Sequence, residues 1–387
     1  MTGAIEPAAD NAPAAEWLIS VDDHVIEPPN VWQDRLPSKF KAAGPRLLTD
    51  DKGEAWFYED KRIPTLGLSA AAGRKKEEFS PLPLSYADMR PGCYDSVARL
   101  ADMDQARILA SLCFPSFPRL CGQTFYEGKD KELGLACVKA NNDWMVEEWC
   151  EPSGGVNIPL CLIPLWDADL AAAETKRNAE RGVRAIAFSE IPTRLKLPSI
   201  NTDYWDPLWQ VCNDYGVTVC MHVGSSSSNP AASPDSHKAV GLTLGFNNAM
   251  ASLADWLFSG KLLEFPKLKL AYSEGQIGWI PYVLERADTV WEMHDSWTSA
   301  KERIPVLPST QYYGRIFGCF TADRHGLRSL EEVGEDNICF ETDYPHTDTT
   351  WPHSEAYIEK LCAGLDEDVA YKILRGNAIK MLELDRV

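Results

Sequence analysis

Four short stretches of the chain carry side chains suited to chemistry. In "ISVDDHVIEPP", residues 19–29, Asp22 and His24 stand two apart, so on an extended strand they share a face, and Glu27 follows three residues later. "VTVCMHVGS" holds His222, "LKLAYSEGQ" holds Glu274 and "NICFETDYP" holds Asp343, each at the end of an apolar run, with His346 three residues beyond Asp343. Two imidazoles and two carboxylates drawn from such strand ends could meet around one divalent cation. That donor mixture suits Zn2+, Mn2+ or Fe2+ better than Ca2+ or Mg2+. A cation would also explain why acids end apolar strands: without one, two buried carboxylates repel and at least one takes up a proton.

Residues so far apart in sequence meet only if the strands that carry them lie side by side. Eight short apolar, often β-branched segments recur: "WLISVDDH", "ILASLCFPS", "NIPLCLIPL", "VRAIAFSEI", "VTVCMHVGS", "LKLAYSEGQ", "RIFGCFTAD" and "NICFETDYP". Stretches of helical character separate them, among them "YDSVARLADMDQA", "DADLAAAETKRNAERG" and "IGWIPYVLERADTVWEMHDSW". Strands that are apolar throughout, alternating with helices, predict an α/β fold with a parallel sheet buried on both faces and closed as a (β/α)8 TIM barrel. A doubly wound open sheet is the rival, but "VDDHVIEPPN" lacks the Gly-rich phosphate turn expected after its first strand. In a barrel, the C-terminal ends of the strands converge on one rim, which is where the acids and histidines above would gather.

The remaining segments attach to that frame. Residues 1–16 read as a mobile N-terminal arm and residues 17–387 as one barrel domain. Within it, residues 33–90, rich in Lys, Pro, Gly and small residues, are too long for an ordinary βα loop and read as an insertion after the first strand, over the barrel mouth. A net charge of −19 argues against nucleic-acid and anionic-membrane partners and for a small-molecule substrate. Eleven cysteines without a C-x-x-C pair, several inside apolar runs, read as reduced thiols of a cytoplasmic protein. No apolar run approaches the roughly 18 residues that span a bilayer. The apolar, aromatic stretch "IPYVLERADTVWEMHDSW" is a candidate surface for homo-oligomerisation.

The four motifs in order, D-x-H-x-x-E-P, "MHVG", "FPKLKLAYSEGQIGWIPYVLERAD" and "ICFETDYPHTDTTWPHS", resemble the amidohydrolase-2 branch of the amidohydrolase superfamily, related to metal-dependent aromatic and picolinate-type decarboxylases. The resemblance runs from about Ile19 to "ILRGNAIKMLEL". It implies one divalent metal, Zn2+ foremost with Mn2+ or Fe2+ as alternatives, held by Asp22, His24, His222 and Asp343. One departure matters: the decarboxylases usually carry a catalytic histidine at the end of strand six, where this chain has Ser273-Glu274-Gly275. A carboxyl group replaces an imidazole at neutral pH only if its pKa is raised.

The sequence therefore predicts a metal-dependent hydrolase acting through a metal-activated water on a small, cyclic or aromatic, carbonyl-containing substrate. Asp343, Glu274 and His346 are its expected catalytic residues. The alternative is a non-oxidative, metal-dependent decarboxylase of a hydroxy-aromatic or related acid. Glu27 is read either as bonding His24 or a backbone amide, or as facing solvent. Arg90 is read as a partner for a substrate carboxylate or as one half of a salt bridge. The tryptophans at 205, 209, 256, 279 and 291 are read as packing, and Trp351 as a candidate substrate contact.

Overall fold

Every one of the eight apolar runs contains a strand. In the computed structural model, which describes residues 18–384, the strands in chain order are β1 (Leu18–Val25), β2 (Arg46–Asp50), β3 (Gly53–Tyr58), β4 (Lys61–Ile63), β5 (Ile108–Pro115), β6 (Asn157–Ile158), β7 (Ala185–Phe188), β8 (Thr218–His222), β9 (Lys269–Ser273), β10 (Ile316–Phe320) and β11 (Ile338–Phe340). The arm expected at residues 1–16 lies outside the described residues.

Two parallel arcs carry the eight strands, one in the order β1-β5-β6 and the other β7-β8-β9-β10-β11. Hydrogen bonds bridge both seams between the arcs. At one, Cys161 N donates to Ala185 O and Ala187 N to Cys161 O (3.1 and 2.9 Å); at the other, Asp343 N donates to Asp22 O and His24 N to Tyr344 O (2.9 and 2.6 Å). Helices follow the strands at Ser96–Ala106, Lys131–Trp144, Ala168–Ala179, Asp206–Tyr215, Asn247–Ser259 and Ile280–Met293. Three of them start at an aspartate whose side chain accepts from a free amide of the first turn: Asp95 from Ala98 N, Asp130 from Glu132 N and Leu133 N, and Asp167 from Leu170 N. With helices on the outside and packed side chains within, all residues of β7 through β11 are buried, which is why these strands read as unbroken apolar runs rather than alternating ones. Trp205, Trp209 and Trp256 are fully buried; the first two meet Phe188 of β7 edge-on, with ring centroids 5.1 and 5.2 Å away.

The segment between β1 and β5 has secondary structure of its own. β2, β3 and β4 form an antiparallel sheet whose turns are Asp51-Lys52 and Glu59-Asp60. It docks through Trp56, buried edge-on against Trp32 at 5.2 Å and beside Phe117 at 5.0 Å. Further on, the amides of Ala71 and Ala72 donate to Pro345 O (2.7 and 3.0 Å), which pins this segment to the loop after β11.

Asp23, between the two candidate ligands of β1, faces away from them. Its carboxylate accepts from Ser20 Oγ, Thr342 Oγ1, Tyr344 N and Ser111 Oγ, tying β1 to β5 and to the end of β11. Arg99, also fully buried, donates to His24 O and Gly92 O and lies 4.1 Å over the Tyr344 ring. All eleven cysteines are unpaired thiols, ten of them buried. Among the described residues no helix is long and apolar enough to cross a membrane.

Candidate metal centre and the cavity beside it

The D-x-H spacing does what the pleat requires: Asp22 and His24 emerge on one face at the end of β1. His222 ends β8 and turns toward them. Its Nε2 lies 3.2 Å from Asp22 Oδ2 and 3.3 Å from His24 Nε2. His24 Nε2 is in turn 3.5 Å from Asp22 Oδ1 and 3.3 Å from Asp343 Oδ1. All four side chains are at most 3% exposed.

Two imidazole nitrogens this close, facing two carboxylates, make no sense as hydrogen bonds alone. His222 Nδ1 lies 2.7 Å from Val223 O, a contact in which Nδ1 donates, so that in the neutral ring the lone pair is on Nε2. Both oxygens of Asp22 and both of Asp343 are buried without a hydrogen-bond partner. Leaving buried acceptors unmatched costs roughly 1–3 kcal/mol each, more for charged ones, so the cluster fits a cation between these donors. Asp22, His24 and His222 meet the spacing for a shared ion, as do His24, Asp343 and His346.

Backbone strain helps aim the acids. Asp343 and Glu274 adopt φ of +50° and +53°, the left-handed region that costs a side-chain-bearing residue of order 1 kcal/mol. Both stand just past a strand, at β11 and β9, where such a turn swings the carboxyl inward. Glu274 Oε2 then lies 3.9 Å from His222 Nε2. His346 completes the group, its Nδ1 3.0 Å from Asp343 Oδ1 and its ring stacked on His24 at 3.6 Å.

Electrostatics follow from this crowding. Burial pushes Asp22 up to about 6, against the pull of His222. Burial, then the charge of Asp343, pushes Glu274 up to about 8. Burial acts in the same sense on Asp343, but His346 and His24 overcome it and hold this acid well below the usual carboxylate range. Burial and the neighbouring His346 depress His24. His222 and His346 are raised despite burial, by Asp22 and Glu274 in one case and by Asp343 in the other.

Two acids that sequence reasoning passes over belong to the neighbourhood. Glu341, fully buried two residues before Asp343, accepts from the Glu274 amide at 3.1 Å and so fixes the turn that presents Glu274. Glu190, past the end of β7, accepts from Gly224 N, Ser226 Oγ and Asn248 Nδ2, holding the loop after His222. The cue is present for both, since each is an acid closing an apolar run, as Asp343 does. Glu27 is fully buried, away from solvent, and accepts from Ser116 N and Phe117 N (3.0 and 2.8 Å) in the loop after β5.

Glu274 links the cluster to a cavity of about 1230 Å3, which it lines together with Gln276. Arg90 and Trp351 line it too. The Arg90 guanidinium grips Asp102 through Nε and Nη2 and lies 4.2 Å over the Trp351 ring, whose Nε1 donates to Asp102 O. His353 lies on the cavity wall, while His237 and His325 are exposed elsewhere.

A family model, described as amidohydrolase, matches residues 30–384. The chain belongs to the amidohydrolase family, in its amidohydrolase-2 branch. The match begins past β1, so Asp22 and His24 stand on the geometry above rather than on the family model. Among solved structures, this amidohydrolase is similar to an amidohydrolase from Mycobacterium avium subsp. paratuberculosis K-10, at 22% identity and a TM-score of 0.74, covering 94% of this chain and 98% of the other. It is also similar to 5-carboxyvanillate decarboxylase from Sphingomonas paucimobilis (18%, TM-score 0.65, 95% and 99%). A third is dihydroxybenzoic acid decarboxylase from Polaromonas sp. JS666, solved with manganese and 2-nitroresorcinol (16%, TM-score 0.62, 96% and 98%). At these identities the likeness establishes a TIM-barrel-type α/β fold for the amidohydrolase described here. The search of curated proteins gave no match.

Proposed function

We propose that this amidohydrolase-family chain is a metal-dependent carboxy-lyase, which removes CO2 from a small cyclic or aromatic acid without an oxidant. The two arcs are read as one closed (β/α)8 barrel, residues 17–387, with residues 33–90 inserted over its mouth. The observation that carries the reading is the set of partnerless carboxylate oxygens on Asp22 and Asp343, facing the Nε2 atoms of His24 and His222. These four residues would hold one divalent cation, Mn2+ or Zn2+, and the cation, when bound, supplies Lewis-acid polarisation of the substrate's oxygens.

The protein's own groups manage the proton. Loss of CO2 leaves the bonding electron pair on the former carboxyl-bearing carbon, which must then gain one H+. Glu274, on the cavity side of the cluster, is placed to hand over that proton, and the Asp343–His346 pair holds a second. Glu341 and the positive-φ turn position Glu274 for this role. Two things favour the carboxy-lyase over the hydrolase expected from sequence: Arg74, Lys75, Lys76 and Arg90 outnumber the acids Glu274 and Asp348 in the cavity lining, which suits an acid substrate, and solved structures of similar fold are decarboxylases by name. The hydrolase remains the second reading, because strand six ends in a carboxyl rather than an imidazole and Asp343 with His346 could equally accept a proton from water.

The deciding experiment is a screen of the Mn2+- and Zn2+-loaded protein in D2O. Release of CO2 from hydroxybenzoates or related acids, with one deuterium on the vacated carbon, supports the carboxy-lyase. Cleavage of amides or lactones with no CO2 from any acid would reverse the assignment.

A further inference from the structure

His346 stands closer to an acid of the cluster than either of the other two imidazoles does. Its Nδ1 is 3.0 Å from Asp343 Oδ1, against 3.2 Å between His222 Nε2 and Asp22 Oδ2 and 3.3 Å between His24 Nε2 and Asp343 Oδ1. Yet neither His346 nor His24 hydrogen-bonds Asp343, both of whose oxygens are buried without a hydrogen-bond partner. Donor atoms about 2.0–2.2 Å from a common ion stand roughly 3–3.5 Å apart when they are neighbours around it. The three contacts fall in that range. Glu274 Oε2, 3.9 Å from His222 Nε2, falls outside it.

The His346 ring is held in place from two directions. It stacks on His24 with centroids 3.6 Å apart and planes inclined by 23°, and a nitrogen of each ring reaches the same carboxylate oxygen. Its own backbone N donates to Asp343 O at 2.9 Å, and the amides of Ala71 and Ala72 bind the oxygen of the residue before it, Pro345. The segment between β1 and β5 therefore braces the turn that presents this imidazole. His24 is common to both groups with the spacing for a shared ion: it belongs with Asp22 and His222 in one and with Asp343 and His346 in the other.

We propose that His346 is a fifth ligand of the cation, through Nδ1, so that three imidazoles and two carboxylates hold it. Five protein donors are more than the four of a tetrahedral zinc site and suit an ion that takes about six, such as Mn2+, with a position left for an oxygen of the substrate. The proton assigned above to the Asp343–His346 pair is then the one on the other ring nitrogen, Nε2. The proposal rests on the metal centre and holds equally for the carboxy-lyase and the hydrolase.

Metal binding by the full-length protein tests it without reference to turnover. Wild type with isotopically labelled histidine nitrogens, stripped by chelation and loaded with a spin-active isotope of Cd2+, a diamagnetic ion that also accepts six ligands, should show nitrogen–cadmium coupling in three imidazole rings: at Nε2 of His24 and His222 and at Nδ1 of His346. His346→Gln should remove one of the three. Calorimetric titration of His346→Ala with Mn2+ should give a Kd at least about tenfold weaker than that of wild type. Coupling in only two rings, or an unchanged Mn2+ affinity in His346→Ala, overturns the proposal. Counting coupled rings in the wild type requires no variant, so the test stands even if His346→Ala fails to fold. If Asp343→Asn loses the ion and His346→Ala keeps it, the fifth ligand has failed and the four-residue centre has not. If wild type takes up neither Mn2+ nor Cd2+, the metal reading itself has failed, and the proposal with it.

Discussion

At the scale of single residues, the centre depends on acids that are tolerable only with a positive charge among them. Asp343→Asn keeps the shape but removes the negative charge that would hold the cation, and should lower bound Mn2+ or Zn2+ to a small fraction of one equivalent by elemental analysis, with activity falling at least about a hundredfold. Glu274→Gln should behave differently, retaining metal while losing turnover, because Glu274 stands between the cluster and the cavity and is not one of the acids whose oxygens lack partners. Much of this is legible in the sequence. Asp22, His24, His222 and Asp343 each end an apolar run, and a strand end is where a barrel displays its chemistry. What the sequence does not display is conformation: nothing in the letters of "YSEG" or "ETDY" signals that Glu274 and Asp343 take positive φ, so the aim of both acids emerges only in the folded chain. Glu341 goes unread for a related reason. Lying two residues before Asp343 in one motif, it is overshadowed by the more familiar residue, although it serves as the amide acceptor behind Glu274.

At the scale of elements, the seam between β1 and β11 is the mechanical support of the site. Asp23 satisfies four donors from three parts of the chain and stands 3.9 Å from the buried Arg99 guanidinium. Asp23→Ala should cost about 3–5 kcal/mol in urea unfolding, because the charge and donors it leaves behind stay buried. Ser111→Ala, which deletes only one of those donors, should cost about 1 kcal/mol. Glu27 gives a pH signature from the neighbouring loop. Burial pushes its pKa from 4.5 up to about 7, so the folded chain holds a proton that the unfolded chain releases. Its contribution to stability is complete below about pH 4.5 and declines as pH rises, the loss ending above about pH 7 at roughly 3 kcal/mol. The difference in unfolding free energy between wild type and Glu27→Gln, measured at pH 4.5 and pH 8, should shift by about that amount against the wild type. Elements are otherwise the most legible level: eight apolar runs give eight strands. The β2–β4 sheet escapes because its segment reads by composition as a loop-like insertion, although "TDDKGEAWFYEDKRI" carries two turn signals between strand-like residues.

At the scale of the whole molecule, a cation held by Asp22 and His24 of β1, His222 of β8 and Asp343 beyond β11 would join the two arcs as well as serve chemistry. A ligand that binds only the folded state adds RT ln(1 + [L]/Kd), about 2.7 kcal/mol at a hundredfold excess over Kd. Adding Mn2+ or Zn2+ to chelator-treated protein should therefore raise the unfolding temperature in a concentration-dependent way, and Asp22→Asn should flatten the response. A chain whose melting ignores these metals would count against the assignment of the cluster.

The pairing of β1 with the end of β11 has one more consequence, for how the protein is made. Asp22 and His24 are synthesised more than three hundred residues before Asp343. A nascent chain could offer the proposed ion only part of its cage until Asp343 has emerged, so tight metal capture would have to wait for the end of β11 to join β1.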